Sequence, residues 1–204
     1  MSSVTPIQKK LSTEEKILNA AREVFTQKGY AATRTRDIAE KAGINLALLN
    51  YYFRSKEKLF EQVMMEQKAA LLGRIYPIVS NSATSLEEKV DLIIETYFDV
   101  LTKTPELPLF VLGEMQKDPS SFAGKLPLKQ MITESSFAKQ LKETKPDIDP
   151  INMIWNIFGL TIFPFISKPI FINSDLIDTN QFNELINERR TLVPIWIKNI
   201  LYSK

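Results

Sequence analysis

The sequence predicts an all-α protein. Apolar residues recur at helical spacing from Ile17 to the last helix, Ser, Asn and Asp stand at helix-start positions, and no alternating run bounded by hairpin turns occurs. The expected architecture is an N-terminal three-helix segment with a helix-turn-helix, over residues 1–60, joined by a long helix to a larger helical bundle, over residues 61–204.

The first helix starts at Ser12-Thr-Glu-Glu15, where the Ser hydroxyl accepts an orphan N–H and Glu15 reaches back as a capping box. Ile17, Leu18, Ala21, Val24 and Phe25 form one stripe, and Gly29 is the expected stop. Thr33 is the expected cap of a second helix, with Asp37 near its positive end and Ile38, Ala39 and Ala42 on its apolar face. Gly43 ends it, and Asn45 caps a third helix through about Tyr52. Two short helices joined by a tight Gly-containing turn make a helix-turn-helix. Ser55 opens a fourth helix whose stripe of Leu59, Phe60, Val63, Met64 and Leu71 runs to about Tyr76, where Pro77 and a polar run should break it.

In the bundle, helices are expected from Ser85 to about Lys103 and from Leu107 to Lys117. Residues 119–127 read as a loop and Leu128 to about Glu143 as one helix. Asp149-Pro150 supplies a cap and first-turn proline for a helix running through Trp155, Phe158 and Phe163. Gln181 to Tyr202 closes the chain, with Pro194 as an expected kink.

Charge and composition narrow the function. Residues 1–60 hold 11 Lys and Arg against 6 Asp and Glu, and residues 61–204 hold 15 against 18. A basic head on a mildly acidic body suits an anionic partner at one end. With no Cys and no His, disulfides, thiolate metal sites and the commonest general base are excluded. No metal, no cofactor and no catalytic site is expected. Met1 to Lys10 is polar, unlike a signal peptide, and the apolar run Ile154 to Ile172 is interrupted by Asn156, Pro164, Lys168 and Pro169. A cytoplasmic protein without a membrane span is the expectation.

The stretch from Gly29 to Phe60 resembles the N-terminal domain of the tetracycline-repressor (TetR) family. The matching features are Gly29-Tyr-x-Ala-Thr33, Arg36-Asp-Ile-Ala-x-x-Ala-Gly43, Tyr51-Tyr-Phe53 and Ser55-Lys-Glu-x-Leu59, in order and without gaps. The likeness covers roughly residues 12–62; the rest matches in length and helical content only. The chain departs from the pattern at Asn50, where members usually carry Tyr, and at Leu48, where they carry a small or polar residue. The resemblance implies a homodimer on palindromic double-stranded operator DNA, with a small-molecule effector bound in the helical body.

The residues expected to face DNA are Arg34, Thr35, Arg36, Asn45, Leu46, Ala47, Asn50, Tyr51, Tyr52 and Lys56. Ile44, Leu49 and Phe53 fit an inward face, which turns Leu46, Ala47 and Asn50 outward near the end that reaches base edges. Leu46 either meets a thymine methyl or packs inward. Asn50 either pairs with adenine N6 and N7 or meets phosphate or solvent. By resemblance Arg36 contacts a base or a phosphate. Thr35, Arg34, Lys56 and the two Tyr hydroxyls suit phosphates.

The body is rich in aromatics and Met. Tyr97, Phe98, Phe110, Met115, Phe137, Trp155 and Phe158, with Phe122 and Met131 beside them, either line an apolar effector site or form core. The helix from Asp149 is apolar on more than one face, so Phe158, Ile162, Leu192 and Ile195 are expected at a dimer interface. The sequence thus points to a ligand-responsive regulator, against two alternatives: a helical enzyme using carboxylates or Lys, and a lipid-associated helical protein.

Overall fold

The computed structural model describes residues 11–124 and 126–202, which form twelve helices and no strand. The polar N-terminal segment read above lies outside the described residues. One compact unit ends at Glu66 and a second begins at Gln67.

The first unit is built from α1 (Thr13–Ala32), α2 (Thr35–Ala42), α3 (Leu46–Tyr52) and the start of α4 (Lys56–Ser80). The expected capping box is present: Glu15 N donates to Ser12 Oγ at 3.1 Å and Ser12 N to the Glu15 carboxylate at 2.7 Å. Gly29 interrupts α1 at φ 72°, a conformation L side chains avoid, but one further helical turn follows to Ala32. That extra turn displaces the expected cap. Thr33 is buried and its hydroxyl donates to the Gly29 carbonyl at 2.7 Å, so Arg34 becomes the first residue of the α2 cap. Gly43 ends α2 in the left-handed region, with its own N–H on Glu40 and the Ile44 N–H on Ala39. Ile17, Leu18, Ala21, Val24 and Phe25 meet Ile38, Ala39, Leu49, Phe53, Leu59 and Val63 in a small core. Phe25, Tyr30 and Phe60 add a cluster of rings 4.7–6.1 Å apart.

The second unit comprises the end of α4, then α5 (Leu86–Lys103), α6 (Leu107–Lys117), α7 (Pro119–Gly124), α8 (Leu128–Ile132), α9 (Ser136–Thr144), α10 (Pro150–Thr161), α11 (Phe163–Asn173) and α12 (Thr179–Tyr202). Its centre is α5, which packs against α9, α10 and α12. Val90, Ile94, Phe98 and Leu101 on α5 are buried together with Leu141, Met153, Ile157, Val193 and Ile197.

Four sequence readings change here. α4 continues through Pro77 to Ser80, and Asn81 N bonds the Pro77 carbonyl at 3.0 Å to close it. The supposed loop after Lys117 contains α7, started by Asp118 Oδ1 accepting from Ser121 N at 2.9 Å. The single helix expected over 128–143 is two, because Ser135 caps α9 by accepting from Ala138 N. The helix from Asp149 breaks at Ile162. Pro164 has no N–H for the Leu160 carbonyl four residues back. Arg189 Nη2, from α12, donates to that carbonyl at 2.7 Å instead.

Candidate nucleic-acid interface

The turn between α2 and α3 sets the orientation of both helices. At the start of α2, Asp37 accepts from Arg34 N at 3.3 Å and from Lys28 Nζ at 2.8 Å. The Lys28 bond, then the Arg34 backbone, hold its carboxyl below the usual carboxylate range. At the start of α3, Leu48 N donates to Asn45 Oδ1 at 2.8 Å, so that Asn side chain is a helix cap.

Side-chain directions follow from burial. Leu49 is fully buried and Phe53 nearly so, and at about 100° per residue this turns Ala47, Leu48, Asn50 and Tyr51 to the surface. Tyr51 is 80% exposed, with Tyr52 edge-on to it at 5.5 Å. Leu46 is half-buried, and the leucine that faces outward is Leu48. Sequence reading missed Leu48, although its position one residue before the buried Leu49 was a usable signal. Arg34, Arg36 and Arg54 are exposed and Thr35 is half-buried, so exposed arginines precede and follow α3 along the chain. Three acids of the unit are engaged within it: Glu23 pairs with Lys41, Glu66 with Arg22, and Glu57 accepts from the Tyr30 hydroxyl.

Lys56 has a structural task. Its Nζ donates to the Tyr30 and Thr33 carbonyls at 3.0 and 3.1 Å and lies 4.3 Å from the centre of the Tyr30 ring. It closes the end of α1 as a cation at a helix C-terminus. Lys56→Met is therefore expected to lower the stability of this unit by about 1–2 kcal/mol, read as a lower midpoint in urea. A midpoint equal to wild type would return the side chain to the phosphate contacts.

In the body, the seven aromatic and Met residues named above differ widely in burial. Tyr97, Phe98 and Phe137 are core, Phe110 is half-buried, and Met115 and Trp155 lie at the surface, Trp155 at 67% exposure. Phe158 is part-exposed, with its ring 5.3 Å from that of Tyr97. Burial pushes the Tyr97 hydroxyl's pKa up. A separate cleft of about 210 Å³ is lined by Lys68, Glu114, Lys117, Asp118, Ser121 and Phe122, a mostly polar set. The four residues expected at a partner interface all reach the surface: Ile162 is half-buried, and Phe158, Leu192 and Ile195 are exposed. Phe158 and Ile162 lie within a 24-residue apolar stretch, Pro150–Asn173, that is long enough to cross a membrane by length and composition and is largely uncovered. Among the described residues no group of three or more acidic residues could hold a metal.

Residues 17–63 match the model for bacterial regulatory proteins of the tetR family. The N-terminal unit belongs to the tetR family. The likeness to curated relatives covers only part of the chain. The chain is 33% identical over 97 residues to the HTH-type transcriptional repressor KstR2 of Mycolicibacterium smegmatis, covering 48% of this chain and 47% of that one. It is 27% identical over 118 residues to the fatty acid metabolism regulator protein of Bacillus subtilis, covering 58% and 57%. The chain thus spans about half the length of these relatives. A crystal structure of the Bacillus subtilis regulator FadR in complex with stearoyl-CoA shares the fold, with a TM-score of 0.56 at 23% identity over 87% of this chain and 96% of that one. The fold of this chain therefore occurs in a solved protein of similar extent.

Proposed function

We propose that the chain is a ligand-responsive transcriptional repressor that binds palindromic operator DNA as a homodimer in the cytoplasm. The observation that carries this reading is the surface of the tetR-family unit: an outward, uncharged α3 between exposed Arg34, Arg36 and Arg54. Base edges are read by such a helix, while flanking cations hold the phosphates. The exposed apolar faces of α10, α11 and α12 support a second copy as the partner. A twofold interface must be self-complementary, and exposed apolar side chains at Trp155, Phe163, Leu192 and Ile195 match themselves.

The effector is a small, largely apolar molecule, consistent with the aromatic body. FadR was solved with stearoyl-CoA, so long-chain acyl thioesters and fatty acids are the first molecules to try here. An effector acts by preferring one of two arrangements of the dimer, and can shift operator affinity only by that preference.

The deciding experiment is fluorescence anisotropy with duplex DNA from upstream of the protein's own gene. Nanomolar binding that weakens steeply with salt is expected. Equal binding to all duplexes, or none, would remove the function. Cosedimentation with phospholipid vesicles in the absence of DNA would favour the membrane reading of Pro150–Asn173.

A further inference from the structure

Residues 42–53, the turn and the whole of α3, contain no Asp, Glu, Lys or Arg. This has a chemical meaning in a major groove. Guanine offers the acceptors O6 and N7, read by Arg or Lys; cytosine offers the N4 donor, read by Asp or Glu. Adenine N6 and N7 suit an Asn or Gln amide, and the thymine methyl suits an apolar surface. α3 lacks both groups that read a G·C pair. It holds both that read an A·T pair: Ala47 and Tyr51 point outward opposite the buried Leu49, with Leu48 exposed on one flank of them and Asn50 on the other. The apolar members are well presented: Leu48 is 37% and Tyr51 80% exposed, while the inward side of the helix is filled by Leu49.

An apolar surface of this kind needs a cover that tolerates cations beside it. DNA provides both, since its phosphates meet Arg34, Arg36 and Arg54 while thymine methyls meet α3. We propose that α3 reads a run of A·T pairs in each half-site, chiefly through thymine methyl groups and with one adenine held by Asn50. Guanine contacts, where an operator has them, fall to the arginines at the flanks. This rests on the reading that the chain binds operator DNA.

The test uses the full chain and a random duplex library. After selection, the positions under α3 are those where preference relaxes in Leu48→Ala and Asn50→Ala. These positions are expected to be A·T pairs. Each thymine among them is then replaced by deoxyuracil, which keeps pairing and removes only the methyl. A loss of about fourfold per contacted methyl, the fold-change of one buried carbon unit, is expected with an unchanged salt dependence. G·C pairs at those positions, or full affinity with every thymine replaced, would overturn the proposal while leaving operator binding intact. A library that enriches nothing would overturn operator binding itself, and this readout with it.

Discussion

A chain carrying both Trp155→Glu and Ile195→Glu is expected to be a folded monomer that binds operator at least a hundredfold more weakly. Both side chains are well exposed in the single chain, at 67% and 48%, so no core contact is lost. In a twofold assembly each substitution appears twice, and four carboxylates would face an apolar surface. Desolvating each costs several kcal/mol, more than the residual apolar contact returns. The monomer then binds two half-sites as independent events, losing the gain of a linked pair, on the order of 10²–10⁴. Phe158 is a poorer choice for this test, because its ring lies against Tyr97 and its loss would loosen the core. Sedimentation velocity reads the oligomer, circular dichroism the fold and anisotropy the affinity. A folded double variant that remains dimeric would place the interface elsewhere.

The second large effect is expected inside the body. Lys89 is fully buried, and its Nζ donates to the Thr84 carbonyl at 2.6 Å and to Gln140 Oε1 at 2.8 Å. Gln140 Nε2 donates to the same carbonyl at 2.9 Å, so the three groups tie the turn before α5 to α9. Burial holds the Lys89 ammonium below the usual lysine pKa. Replacing a buried charge by an apolar group of like size is often neutral when its partners are replaced too. Here the partners remain. Lys89→Met should leave Gln140 Oε1 without its donor and cost about 2–4 kcal/mol. Urea unfolding should show a lower midpoint with an unchanged slope. A shift below about 0.5 kcal/mol would mean that solvent reaches the site and replaces the ammonium.

The features legible in sequence were those fixed by neighbouring residues. The Ser12 and Asn45 caps, the left-handed Gly43, and the bounds of α6 each depend on a few adjacent side chains. Features that depend on distant partners were not legible. The carbonyls that Lys56 caps belong to residues 23 and 26 positions away, so its type and place suggested a phosphate. Pro77 was read as a breaker, yet the helix proceeds because packing outweighs one missing bond. Leu46 and Leu48 differ by only two positions on an apolar helix, and which of them faced out was set by how α3 seats Leu49. The aromatic body gave composition but no geometry: nothing local distinguishes the buried Phe137 from the exposed Trp155.

The bond from Arg189 to the Leu160 carbonyl bears on how this chain can vary. Pro164 and Arg189 answer one another across 25 positions of sequence, one removing a donor and the other supplying it. A lineage that loses the arginine first strands a carbonyl; one that loses the proline first leaves a guanidinium with less to hold. Drift at either position is therefore conditioned on the other. In a set of descendants the two should be retained as a pair or replaced as a pair, while the exposed loop residues between them change freely.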